Sequence, residues 1–345
     1  MSSLPKPRIK RHFSIVAHSA DVVELRHGAW NVVAHTLQDE TKSGRLLRLL
    51  RRIDGSSDAT EISSSEDVPL DEVEALLGHL AEIGVLEFGV GSALDFFAEH
   101  ASGYLRGRAT APAQPPAPPI VVGDDGVLAG HITALLGADS APEVAAIVHE
   151  DLVRCARASY EDGIGFEEAA EPFSRWRSHF VIYASASVNP LELRGFNRVC
   201  LHHRVPCIAA AVDGPFLLVG PTVLPSRTAC LECLETRVLM NLRQAADYQA
   251  YKVALLEGRA SGVSKPLDGV LACLLASLVS MEALNFALAG TSFTVGKVLC
   301  VHLPTMEFVY NEVLRVPGCS ACGSAPECHD RELYFDIRAL LQSGR

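Results

Sequence analysis

The chain has 345 residues, 30 Lys plus Arg against 41 Asp plus Glu, a formal net charge of −11, and 48% hydrophobic residues. That length suits two or three domains, and the apolar content can supply a core for each. The acidic balance argues against bulk binding to nucleic acid or an anionic membrane, which needs clustered Lys and Arg.

Taken in chain order, the Met1 end lacks the apolar core of a signal peptide, so the expectation is a cytoplasmic protein. "HFSIVAH" (12–18) reads as a strand, and "DVVELRHGAWNVVAH" (21–35) as two more joined at His27-Gly28. "SGRLLRLLRRI" follows as a helix with Ser43 as candidate cap, and "DATEISSS" as a short helix. "PLDEVEALLGHLAEIGVLEF" (69–88) is the clearest helix: Leu70, Val73, Leu76, Leu77, Leu80 and Ile83 recur at helical spacing, and Gly84 suits its end. Three strands and three helices in this arrangement resemble a winged helix-turn-helix. The tract "ATAPAQPPAPPI" cannot pack a core and reads as a semi-rigid linker. The expected organisation is a first domain over 1–108, a Pro/Ala linker over 109–119 and a second domain over 120–345.

The second domain opens on "PPIVVGDDGVLAGHITALLG", an apolar strand, a Gly-containing turn and a helix. Further strands are expected in "EVAAIVHEDL", "HFVIYASAS", "VPCIAAAVDGPFLLVGPTVL" and "KVLCVHL", with helical patterns between several of them. Strands alternating with helices predict a mostly parallel α/β sheet. The apolar run from Leu267 to Gly290 is interrupted by Asp268, Glu282 and Asn285 and reads as a buried helix, not a membrane span.

Ten cysteines in a chain without an export signal point to metal or redox chemistry before structural disulfides. Two CxxC pairs, Cys230/Cys233 and Cys319/Cys322, supply the four thiolates of a tetrahedral structural zinc site. Cys328, in the same short stretch, is an alternative ligand, and buried or incidental thiols are the other reading. Neither pair follows the first strand of a βαβ unit, which disfavours a thioredoxin-like role. Four protein ligands leave no open coordination position, so such a zinc would stabilise the fold and not act in catalysis. Cys155, Cys200, Cys207, Cys273 and Cys300 lie in apolar runs and read as core residues.

The order of these pieces resembles the ThiF-like family of ubiquitin-activating-type adenylating enzymes over about residues 119–325. The matching residues are Arg194, Asn197, Pro206, Gly214, Gly220, Pro221, Cys230 and Cys233, followed by an apolar helix and closing strands that lead to the second CxxC. With the small N-terminal domain, the chain resembles the ocin-ThiF-like proteins, partners of YcaO cyclodehydratases in azole and thiopeptide biosynthesis. The resemblance implies a Rossmann-type α/β domain and a front domain that recognises the leader of a ribosomally made precursor peptide. It assigns the ATP-dependent cyclisation of Cys, Ser and Thr to the YcaO partner.

The nucleotide site that this resemblance would bring is eroded. Where GxGxxG would begin at Gly123, Asp125 and Leu128 fill the second and third glycine places, and carboxylates there would repel a triphosphate unless a metal intervened. Ser185 and Ser187 stand where the family places a magnesium-holding Asp. Arg154, Arg157 and Asp213 are weak substitutes, read as two solvated side chains and a turn residue. The expectation is therefore no catalytic residue, no ATP on this chain, and a non-catalytic partner subunit. The alternative is an active ATP-dependent peptide-adenylating enzyme.

The helix over 69–83 carries Asp71, Glu72, Glu74 and Glu82 and no Lys or Arg, which disfavours a DNA-reading role. A free sheet edge can instead accept a peptide as an added strand. The resemblance puts that edge at the third strand, about Trp30 to Thr36, beside a groove walled by the third helix. The candidate peptide-binding residues are Trp30, Val32, Val33, Val73, Leu76, Leu77 and Leu80, some of the helical ones doubling as core. The expected partners are a precursor leader and a YcaO cyclodehydratase, with no nucleic acid and no membrane; a homodimer stays open.

Overall fold

The structure, a computed structural model, describes residues 6–30, 33–88, 97, 117–123, 126–137, 143–146, 149–161, 163–260, 267 and 269–323. The chain divides into two compact units, Met1–Asp95 and Phe96–Arg345. Most of the Pro/Ala tract, and Cys328, lie outside the described residues.

In the first unit, β2 (Ser14–Ala17), β3 (Val22–His27) and β4 (Val33–Gln38) form an antiparallel sheet in the order β2-β3-β4. Val23 and Leu25 alternate inward from β3 and are fully buried, the period-2 pattern of a strand with one buried face. Among the described residues β4 pairs with β3 alone and is a sheet edge. It starts three residues and ends two residues later than expected, so Trp30 precedes it. Two short strands, β1 (Pro7–Ile9) and β5 (Leu86–Phe88), form a separate ladder.

The helices of this unit are α1 (Leu46–Arg52), α2 (Ala59–Glu66) and α3 (Leu70–Glu82). Ser43 does not cap α1. Its hydroxyl donates to Asp39 (2.6 Å), and Arg45 takes the cap position without a side-chain bond. α2 has a capping box, with Asp58 accepting from the backbone of Glu61 and Glu61 accepting from the backbone of Asp58. Val73 and Leu80 of α3 are fully buried in one core with Ile9, Leu25, Leu50 and Ile62, while Leu76 and Leu77 pack at its margin.

The second unit is built on a seven-stranded sheet in the order β12-β11-β10-β9-β8-β6-β7. β6 (Ile120–Gly123), β7 (Glu143–Ala146), β8 (Val181–Ser185) and β9 (Cys207–Asp213) run parallel. β10 (Phe216–Val223), β11 (Lys297–His302) and β12 (Glu307–Glu312) continue antiparallel. The sheet is thus mixed and not mostly parallel. β9 and β10 are joined by Gly214-Pro215, and a two-residue loop can connect only antiparallel neighbours.

Helices cover both faces of the sheet. Ile120, Val122, Val181 and Tyr183 point into one core with α5 (His149–Glu161), α6 (Gly163–Ala170), a 3-10 turn (Glu171–Trp176), α7 (Pro190–His202) and α8 (Leu231–Asn241). Val121, Ile182, Ala184 and Ala210 point the other way, into α4 (Gly126–Leu136) and α10 (Gly269–Ala289). Strands buried on both faces read as continuous apolar runs. α9 (Ala245–Leu256) lies beyond α8. The expected strand "EVAAIVHEDL" ends at Ala146, and its last four residues open α5.

α10 is long and apolar enough to cross a membrane by length and composition, and about half of it is buried inside the unit. Ala272, Leu275, Ala276 and Val279 face the sheet, whereas Val270, Cys273 and Met281 are exposed. Cys273 is therefore not core, because an all-apolar helix packed on one side leaves its outer stripe in solvent. Cys155, Cys200 and Cys207 are buried and Cys300 is half-buried.

Candidate functional site

The two CxxC pairs converge. Cys230 begins α8 directly after the loop from β10, and Cys233 lies one turn on. Cys319 and Cys322 sit in a turn after β12, closed by the Gly323 amide donating to the Cys319 carbonyl (2.8 Å). A Cβ at Gly323 would stand 2.5 Å from that carbonyl, so the turn needs glycine.

The four Sγ atoms lie within 4.8 Å of one another. The separations are 3.9 Å for Cys230–Cys233, 3.8 Å for Cys230–Cys319 and 3.4 Å for Cys233–Cys322. A tetrahedron with metal–sulfur bonds of about 2.3 Å has edges of about 3.8 Å, so the donor set fits a tetrahedral ion. The Val316 amide also points at Cys233 Sγ (3.3 Å), a bond suited to a thiolate acceptor. Burial pushes the Cys230 thiol far up and the Cys322 thiol up to about 11, which a bound cation would offset.

Glu232, between the first two cysteines, was not singled out by the sequence. Its carboxylate is buried and accepts from Arg194 Nη1 (2.7 Å), Arg198 Nε (2.6 Å) and Nη2 (2.9 Å), Asn197 Nδ2 (3.3 Å) and Ser320 Oγ (3.0 Å). Asn197 Oδ1 accepts in turn from the Leu231 amide (3.0 Å). Burial works against the Glu232 carboxylate, but Arg198 and Arg194 outweigh it and hold the group below its ordinary range. Thus Arg194 and Asn197 brace the first cysteine knuckle, and Ser320 brings the second to the same carboxylate. The signal was available: residues 194, 197 and 198 share one helix face by i, i+3, i+4 spacing, opposite a carboxylate inside a CxxC.

The positions that the resemblance assigned to a nucleotide site are placed as follows among the described residues. Leu128 is fully buried on the core side of α4. Ser185 donates to the Ser187 carbonyl (2.6 Å) at the end of β8, and Asp125 lies outside the described residues. Arg154 pairs with Asp151 (2.9 Å), Arg157 is exposed, and Asp213 is exposed beside the β9–β10 turn. In the first unit, Trp30 and Val33 are exposed at the start of the β4 edge, 101% and 54% accessible, and Val32 lies outside the described residues.

No model of a known protein family matches the sequence, and no curated protein matches it. Solved structures do. A heterocyclase in complex with substrate and cofactor superposes with a TM-score of 0.59 at 17% identity over 92% of this chain and 40% of its own. The heterocyclase TruD superposes with a TM-score of 0.58 at 18% identity over 92% of this chain and 43% of its own. E. coli MccB with ATP follows at a TM-score of 0.43 and 15% identity, over 92% of this chain and 99% of its own. The chain therefore spans less than half the length of the two heterocyclases, and what it shares with them is the fold, over more of the chain than either unit alone provides.

Proposed function

We propose that this chain is the peptide-binding partner subunit of a heterocyclising enzyme, a ThiF-like scaffold that presents a ribosomally made precursor to a YcaO cyclodehydratase. The observation that carries the reading is the fold this chain shares with two heterocyclases over 92% of its length. The brace around Glu232 supports the scaffold role, because Arg194 and Asn197 are committed to holding a cysteine knuckle. In this reading Cys230, Cys233, Cys319 and Cys322 hold zinc, which would tie α8 to the chain after β12.

The N-terminal unit is read as a winged-helix-like leader-recognition domain. The free edge of β4 supports strand addition by a leader, with backbone hydrogen bonds supplying affinity and side-chain pockets supplying choice. Trp30, Val32 and Val33 would meet the peptide. Leu76 and Leu77 would wall the groove, with Val73 and Leu80 as the core beneath them. The test is fluorescence polarisation of a labelled precursor leader against the full chain, with a YcaO gene and a short Cys/Ser/Thr-rich peptide gene nearby identifying the pair. Leu76→Glu and Val33→Pro should each weaken leader binding tenfold or more while circular dichroism stays unchanged. Undiminished binding by both folded variants, or binding of duplex DNA in place of the leader, would overturn the reading.

A further inference from the structure

We propose that the cavity enclosed by β9, β10, α7, α8 and α9 binds a short peptide segment in which an Arg or Lys side chain is flanked by apolar residues. The cavity holds about 470 Å³, within the usual range for ligand pockets. Its lining is mainly apolar, with Ala210 from β9, Leu218 from β10, and Leu234 and Val238 from α8. Glu232, which braces the cysteine knuckles, contributes to one wall, and none of the four cysteines is among the lining residues.

Charge decides the occupant. Four carboxylates line the cavity, and two already have cations: Glu232 has Arg194 and Arg198, and Glu235 has Lys252 (2.6 Å). The other two, Asp213 and Asp247, have no ion-pair partner among the described residues. The lining cation, Arg194, is committed: its Nη1 donates to Glu232, its Nε donates to Ser159 (3.0 Å), and its guanidinium lies 3.8 Å from the Tyr160 ring centroid. Among the described lining residues an incoming anion finds no free cation, whereas an incoming cation finds two carboxylates and the rings of Tyr248 and Tyr251. Asp213 also reaches Tyr248 electrostatically: burial, Glu235 and Asp213 all push that phenol up.

The volume exceeds one side chain, and the apolar lining suits neighbouring residues of an extended segment. The choice of a peptide as occupant rests on the peptide-binding reading above. The experiment is isothermal titration of the full chain with acetyl-Leu-Leu-Arg-amide, acetyl-Leu-Leu-Glu-amide and n-heptylamine. The Arg peptide should bind one to one and lose at least tenfold in affinity in Asp213→Asn/Asp247→Asn, a pair of exposed sites whose replacement leaves circular dichroism unchanged. Val33→Pro, which tests the N-terminal unit, should not alter this binding, so the two readings fail separately. The proposal is overturned if the Glu peptide binds as well as the Arg peptide, if the double variant binds normally, if heptylamine binds and the peptide does not, or if nothing binds.

Discussion

Glu232 gathers five donated hydrogen bonds from four side chains on one buried carboxylate. Breaking a buried ion pair by removing one partner costs about 3–5 kcal/mol, because the other charge is left without compensation. Glu232→Gln keeps the shape and removes the charge, so it should lower unfolding stability by about 3 kcal/mol in urea titration at neutral pH. An unchanged midpoint would mean that the arginines find water instead. His203 offers a pH test. Its Nε2 lies 2.8 Å from the Ala170 carbonyl and its Nδ1 lies 3.3 Å from Arg177 Nη2, an arrangement met by the neutral ring with the proton on Nε2. Burial, then His202 and Arg177, push its pKa below 6.5 against the Ala170 bond. A histidine with a depressed folded pKa contributes stability above its unfolded pKa and loses it as pH falls towards the folded value. Stability should therefore drop from pH 7.5 to 5.5, and the His203→Gln variant should show a shallower drop across the same window.

At the scale of elements, α5 and α7 cross where Gly195 meets the backbone of Leu152. A Cβ at Gly195 would stand 2.0 Å from the Leu152 carbonyl oxygen, so the helices would have to separate. Gly195→Ala should cost about 1–3 kcal/mol, read as a lower urea midpoint at an unchanged slope. A wild-type midpoint would show that the crossing relaxes freely. The same elements show how far sequence reading reaches. β3, α3 and β8 were legible because each carries a clean period or an unbroken apolar run. The start of β4 and the cap of α1 were not. Asp39, which precedes the helix, collects Ser43 and Thr41, and this local hydrogen bonding outcompetes the capping that Ser43 would otherwise provide. "HEDL" was read as strand, yet it opens a helix, because two acidic residues in a first turn favour the helix N-terminus.

For the whole molecule, the four-cysteine site predicts about one zinc per purified chain by elemental analysis. Structural zinc contributes on the order of 10 kcal/mol to folding in small domains, so Cys230→Ser should lose metal and soluble yield together. Protein that is free of metal and melts at the same temperature after chelation would sink this expectation. The scaffold reading further predicts that the chain alone gives no peptide-dependent ATP–pyrophosphate exchange, since Ser185 ends β8 and Ser187 follows it without a carboxylate between them. Exchange above background would restore the adenylating alternative.

The sequence by itself determined the α/β character of the second unit and the four cysteines. These depend on composition, local periodicity and paired spacing, all of which are short-range. Only the tertiary structure decided that β10, β11 and β12 extend the sheet antiparallel, that Glu232 joins two knuckles nearly ninety residues apart, and that Asp213 and Asp247 face one cavity. Those facts depend on which distant segments meet, and burial makes such meetings matter: a carboxylate that is ordinary in water becomes a structural hub once it is enclosed with two arginines.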